Sequence, residues 1–194
     1  MKLYEKRVMK VGKGYILDKV IGAEELFWIY DRLIKTPSWS LQRASYSKGI
    51  RFEFNGFPNL NIETKGEVYD EFLDGYFRSI IFRVKNTLKK EYGFNLPSEI
   101  NRIHVGAKSS FSKTKFHTDS EIKTDWTILG FLNPVWNAED GGEFFLENEK
   151  ITYTGGRFIV FPSCVKHDGG YVINEKLSYW RIAVNIILSQ PKND

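Results

Sequence analysis

His117-Thr118-Asp119, followed 48 positions after the aspartate by His167, holds the residue types of a transition-metal site. Two imidazoles and one carboxylate can occupy one face of an octahedron around Fe(II) and leave the opposite face open for ligands from outside the protein. The His-x-Asp spacing suits this task on an extended segment, because side chains at i and i+2 of a strand point to the same face. His167 must then arrive on a neighbouring strand, as a barrel or sandwich allows. Three N/O donors with open positions also describe catalytic zinc. His-x-Asp alone arises often by chance, and an isolated histidine is usually a core or surface residue. The chain has only three histidines, so two of them in this pattern carry weight.

The elements that must position these residues follow in order along the chain. Asp125-Trp126-Thr127-Ile128-Leu129-Gly130-Phe131-Leu132-Asn133-Pro134 reads as an apolar strand ending in a turn. Glu139-Asp140-Gly141-Gly142-Glu143-Phe144-Phe145-Leu146 reads as a tight bend entering the next strand, with the glycines supplying positive φ. Gly156-Arg157-Phe158-Ile159-Val160-Phe161-Pro162-Ser163 is a third strand and delivers the chain to His167. Trp180 to Leu188 is a last strand with two unlike faces. Arg181, Ala183 and Asn185 form a small, polar face suited to a cleft wall; Trp180, Ile182, Val184, Ile186 and Leu188 form an apolar one suited to packing under helices.

This order resembles the 2-oxoglutarate and iron(II)-dependent dioxygenases, particularly their prolyl-4-hydroxylase-like branch. There an H-x-D pair is followed by a "YLN"-type strand, a "GG" turn, an "FP" strand, the second histidine and a strand carrying a basic residue. The resemblance covers roughly residues 100–190. It implies a mainly β fold with N-terminal helices (α+β), a double-stranded β-helix or jelly roll whose larger sheet is buttressed by helices. It implies Fe(II) held by His117, Asp119 and His167, with 2-oxoglutarate as co-substrate, O₂ as oxidant and ascorbate as an optional reductant. The catalytic residues would be the same three.

The resemblance also gives roles to other residues. Arg181, 14 positions after His167, would pair the distal carboxylate of 2-oxoglutarate, since a guanidinium matches a carboxylate with paired donors. Thr127 would add a hydroxyl to that carboxylate. Phe131 stands in the family's tyrosine slot without the phenolic oxygen, so another donor must compensate. His104 falls near a slot on the strand before H-x-D and becomes a candidate contact for co-substrate or substrate. Halogenating relatives lack the carboxylate of the triad, so Asp119 implies hydroxylation. Glu143 is expected to be structural rather than a fourth ligand, Trp126 and Trp136 to be packing residues, and Lys166 to be solvated.

Composition sets bounds on this reading. A chain of 194 residues fits one domain, taken as residues 1–194 with a supporting part at 1–99 and a catalytic core at 100–190. Fifteen Phe, ten Tyr and five Trp favour strand-rich packing. No apolar run is long enough to span a bilayer, and the charged start Met1 to Arg7 lacks the apolar stretch of a signal peptide. The single Cys164 excludes an intrachain disulfide, is expected to be buried and inert, and fits a cytoplasmic, reducing compartment that keeps iron ferrous. A net charge of +4 does not establish nucleic-acid binding, and no nucleic-acid partner is expected. Lys108, Lys113, Lys115 and Lys123 crowd the segment around His117, as a solvated loop or a basic rim that attracts an anion.

The first half reads as support. Gly14 to Ile21 is an expected strand, and Gly22-Ala23-Glu24-Glu25 opens a helix with an apolar stripe at Leu26, Ile29, Tyr30 and Leu33, stopped by Pro37. Ile50 to Phe54 alternates like a strand. Glu67 to about Tyr92 is a longer helix, with Tyr69, Phe72, Leu73, Tyr76, Ile80, Phe82, Val84 and Leu88 as its apolar positions and Gly93 as its cap. Gly12-Lys13-Gly14 lacks a third glycine and carries little dinucleotide-binding signal. The expected substrate is a prolyl or other amino-acid residue of a peptide, or a small molecule. The alternatives are a non-enzymatic, cupin-like binding barrel and, less in keeping with Arg181-Ile182-Ala183-Val184-Asn185, a nucleic-acid demethylase.

Overall fold

The two-faced alternation of residues 181–189 is the organising element of the structure, because each face needs its own cover. A computed structural model describes residues 8–35, 39–42, 51–54, 71–108, 110, 115–173 and 180–191. In chain order it contains β1 (Val8–Val11), β2 (Gly14–Leu17), α1 (Ala23–Lys35), β3 (Trp39–Gln42), β4 (Arg51–Phe54), α2 (Glu71–Tyr92), β5 (Glu99–Lys108), β6 (Trp126–Phe131), β7 (Phe144–Leu146), β8 (Glu149–Ile151), β9 (Phe158–Pro162), β10 (His167–Asp168) and β11 (Arg181–Ser189). Eight strands form one sheet in the order β1-β2-β9-β6-β11-β5-β4-β3, and β10-β7-β8 form a second. All the strand pairs are antiparallel.

On one face of the large sheet, Ile182, Val184, Ile186 and Leu188 of β11 join Ile103, Val105 and Ala107 of β5 in a core against Ile29 and Leu33 of α1 and the buried stripe of α2. On the other face, Leu129, Phe131, Ile159 and Phe161 meet Phe144, Leu146 and Ile151 of the small sheet. Each large side chain so buried stabilises the fold by about 1.5–3 kcal/mol. The architecture is the expected one: a mainly β sandwich of jelly-roll type with its larger sheet backed by two helices. Among the described residues no helix is long and apolar enough to cross a membrane.

The helices form where the periodicity placed them, with corrections of phase and length. Gly22 opens α1 by lending its carbonyl to Leu26 N–H, and the Glu25 carboxylate reaches back to the Gly22 N–H at 3.3 Å, half of a capping box. The expected stop at Pro37 lies outside the described residues, as do Glu67 and Tyr69 at the start of the second helix. In α2 the buried stripe is Leu73, Phe77, Ile80, Ile81, Val84 and Leu88, whereas Phe72 and Phe82 are 51 % and 66 % exposed. Those two sit off the stripe set by a 100° rotation per residue. Gly93, at φ 64°, ends the helix as expected by donating to the Lys89 carbonyl.

The strand expected over Gly14 to Ile21 is shorter than its apolar run. β2 stops at Leu17, because Asp18 turns aside to a two-pronged ion pair with Arg157 at 2.7 and 2.9 Å and Lys19 takes a positive φ. The Gly12-Lys13 pair makes a two-residue hairpin turn joining β1 to β2, with Gly12 at φ 52°. This hairpin adds two strands to the large sheet beside β9. Cys164 is half-buried rather than buried.

Candidate active site

His117 and His167 face each other across an isolated antiparallel bridge. Each donates its backbone N–H to the other's carbonyl, at 3.0 and 2.9 Å, and two residues on the Asp119 N–H bonds the Ser163 carbonyl at 2.9 Å. Directly opposed residues of an antiparallel pair project to the same side. The imidazole centroids are accordingly 4.5 Å apart. Asp119, at i+2, projects with them. Its Oδ2 lies 3.5 Å from His167 Nε2 and its Oδ1 lies 3.9 Å from His117 Nε2. One donor atom from each of the three residues falls within 4.8 Å of the others. Donors bound to one transition metal at about 2.0–2.2 Å are at most about 4.4 Å apart, so small side-chain rotations suffice to hold a cation.

The protonation of the cluster suits that task. His117 Nδ1 lies 2.9 Å from the Lys115 carbonyl, and His167 Nδ1 lies 2.9 Å from the Val165 carbonyl. A carbonyl only accepts, so each Nδ1 carries a proton, and Nε2 is the nitrogen left facing the cluster. Burial, aided by the charges of His167 and Lys108, lowers the His117 pKa against the opposing pull of the Lys115 carbonyl and Asp119, and so favours the neutral ring. Burial pushes the Asp119 pKa up, but bonding and charge from His167, the Asn185 amide and the Arg102 charge outweigh it. The carboxyl is held well below its usual range and is ionised.

Thr127 is placed differently from the expectation. Its hydroxyl donates to Asp119 Oδ2 at 2.9 Å and also meets Ser163 Oγ at 2.9 Å, so it serves the triad's carboxylate. Asn185 donates to the same oxygen at 3.0 Å, and its own carbonyl accepts from Arg102 Nη2 at 3.0 Å. Sequence reasoning put Asn185 on the cleft face but gave it no role, and it passed over Arg102. The alternation of β5, with Ile103, Val105 and Ala107 buried, was the available signal for Arg102.

Arg181 is 2 % exposed, and its guanidinium carbon lies 5.3 Å from the Phe131 centroid and 5.1 Å from that of Tyr153. Its Nε donates to the Gly142 carbonyl at 2.8 Å, while its buried Nη2 has no hydrogen-bond partner among the described residues. Burial lowers its pKa, opposed by Tyr153, Asp168 and Glu143. A buried donor on a cation is costly to leave unfilled, and an anion is the natural complement. The hydroxyl missing at Phe131 is not replaced by its neighbour. Tyr153 stacks on Phe131 at 4.3 Å, but its oxygen bonds Leu132, Asn133 and Ile182.

The Gly141-Gly142 bend does two jobs. Both glycines have positive φ, and a Cβ on Gly142 would lie 2.9 Å from Arg181 Cδ and 3.1 Å from Trp136 Cζ2. Gly142→Ala is therefore expected to destabilise the protein by about 1–3 kcal/mol through backbone strain alone. Urea unfolding measures this, and an unchanged midpoint would count against the positive φ at Gly142.

The remaining candidates lie on the same wall or outside it. His104 is half-buried and stands opposite Asn185 in register, and Lys108 stands opposite Arg181. Lys115, Lys123 and Lys166 are exposed, and Lys113 lies outside the described residues. Glu143 pairs with Lys150 at 2.7 Å and does not join the cluster. Trp136 donates to the Gly141 carbonyl at 2.9 Å, and Trp126 packs on Phe94.

No family profile matches the sequence, and no curated protein matches it. Solved structures do share its fold. An oxidoreductase of the 2OG-Fe(II) oxygenase family from Burkholderia pseudomallei aligns with a TM-score of 0.66 and 14 % identity, covering 91 % of this chain and 85 % of that one. HygX from Streptomyces hygroscopicus, with nickel and 2-oxoglutarate bound, aligns with a TM-score of 0.61 and 9 % identity over 93 % and 84 %. A prolyl hydroxylase from Trichoplax adhaerens, in complex with a hypoxia inducible factor oxygen degradation domain peptide fragment, aligns with a TM-score of 0.56 and 19 % identity over 90 % and 82 %. The chain thus has the fold of the 2-oxoglutarate-dependent oxygenases.

Proposed function

We propose that the protein is a 2-oxoglutarate- and Fe(II)-dependent dioxygenase that hydroxylates an amino-acid residue or a small molecule. The observation that carries this reading is one face of β11 with a metal-ready cluster at one end and a buried guanidinium at the other whose Nη2 has no partner among the described residues. Asn185, which touches Asp119, and Arg181 lie on the same face of β11 four residues apart, about 13 Å along the strand. A ligand that chelates a metal through a keto acid and ends in a second carboxylate suits such a pair of anchors.

In this reading His117, Asp119 and His167 hold Fe(II), and Arg181 takes the distal carboxylate. Bound iron supplies the oxidation: one atom of O₂ enters succinate as 2-oxoglutarate loses CO₂, and the other enters the substrate as hydroxyl. The protein's part is placement. The carbonyls of Lys115 and Val165 hold Nδ1 of both imidazoles and so turn Nε2 inward. Phe131, Tyr153 and the Gly142 carbonyl fix the guanidinium. The neighbour with a bound peptide supports a peptide substrate, and the one with bound nickel and 2-oxoglutarate supports the keto-acid co-substrate. The lone Cys164 supports activity in the reducing cytoplasm.

Anaerobic titration of the protein with Fe(II) and 2-oxoglutarate tests the reading. A visible metal-to-ligand charge-transfer band is expected when both are present and neither alone suffices. Its absence at saturating concentrations of both would overturn the reading.

A further inference from the structure

Two hydrogen-bond relays end on one oxygen of Asp119. The directions of both are fixed by chemistry. Arg102 can only donate, so the Asn185 carbonyl must face it, at 3.0 Å. The Asn185 amide nitrogen is thereby turned to Asp119 Oδ2, at 3.0 Å. On the other side the Thr127 hydroxyl gives its proton to Oδ2 at 2.9 Å, so the Ser163 hydroxyl, 2.9 Å away, must donate to Thr127. Arg102 Nη2 itself stays 3.7 Å from Asp119 Oδ1, an ion pair too long for a hydrogen bond, so its hydrogen-bonded route to the carboxylate runs through Asn185.

We propose that Asn185 and Thr127, set by Arg102 and Ser163 behind them, are positioning residues that hold the Asp119 carboxylate in place beside His117 and His167 to receive a cation. The proposal rests on the metal-site part of the reading above and adds what the triad alone does not specify. Without these two donors the carboxylate is free to rotate away from the two imidazoles, so they set the affinity of the site for a cation.

The test uses Co(II), whose visible absorption reports coordination number, on the full-length protein without 2-oxoglutarate. Asn185→Ala is expected to weaken Co(II) binding 10–100-fold, the usual effect of removing such an outer partner, and to alter the absorption spectrum. Arg102→Met should move both in the same direction, and the double variant should lose less than the sum of the two single variants, because part of the effect of Arg102 runs through Asn185. Arg102→Lys, which keeps a cationic donor, should recover most of the loss. Circular dichroism on the metal-free variants checks folding. If Asn185→Ala does not fold, Arg102→Met decides, since that side chain is 36 % exposed.

Unchanged affinity and spectrum in folded Asn185→Ala, or strictly additive losses in the double variant, would overturn the proposal. Wild-type protein that binds no Co(II) would remove the metal site and this inference together. Wild-type protein that binds Co(II) but gives no charge-transfer band with Fe(II) and 2-oxoglutarate would remove the oxygenase reading and leave the positioning role standing.

Discussion

His167→Ala protein is expected to fold and yet to retain almost no Fe(II), with succinate production from 2-oxoglutarate falling to background. The substitution takes one of the three side chains that, among the described residues, come together to hold the ion. It spares the backbone, since the N–H and carbonyl that bond His117 belong to any residue at this position. What the fold loses is the Nδ1 bond to Val165 and ring contacts with Phe161 and Phe144, at 4.8 and 5.5 Å. That is a loss of about 0.5–3 kcal/mol, which a domain of ordinary stability tolerates. Iron content of the purified variant and coupled succinate formation measure the two effects. Normal turnover in this variant would end the proposed function.

Arg181→Ala is expected to act at the other end of the cleft. It should raise the 2-oxoglutarate concentration required by a few hundredfold or more while leaving metal affinity nearly intact. Removing one partner of a buried charge pair costs about 3–5 kcal/mol, and each 1.4 kcal/mol is tenfold. Arg181→Lys should fall between, because an ammonium keeps the charge but loses the planar fork held against Phe131 and Tyr153. The charge-transfer titration reads both variants. An unchanged requirement in Arg181→Ala would mean that another cation binds the distal carboxylate, and Lys108, opposite Arg181 in register, would be the one to examine.

The parts of this architecture that were legible in the sequence depend on local alternation. The two faces of β11 could be read from residue types because inward and outward side chains alternate with period two. The glycines of the bend announced themselves because few other residues accept their φ. The parts that were not legible depend on which strand lies beside which. Thr127 follows the family's motif slot, but β6 lies against β9 so that Thr127 faces Phe161 in register, with Ser163 just beyond the strand's end, and its hydroxyl turns to Asp119. Arg102 and Asn185 meet only because β5 and β11 are neighbours, a pairing of segments some 80 residues apart that no local pattern encodes. The error in α2 is of the same kind. A phenylalanine suits either side of a helix edge, and only the packed sheet decides that Phe77 goes in while Phe82 stays out.

The bridge between residues 117 and 167 has a thermodynamic side. It closes a long excursion of chain, from the triad's first strand through β6 to β9 and back, on two backbone hydrogen bonds. A cation gripped from both ends of that excursion is a reversible cross-link that only the native state can form. Its contribution therefore follows mass action and reaches about 2.7 kcal/mol when free ion is a hundred times its Kd. The heat-unfolding temperature of this protein then becomes a reading of the dissolved metal around it. A chelator should lower that temperature, and should speed amide exchange first in the segment the cross-link encloses.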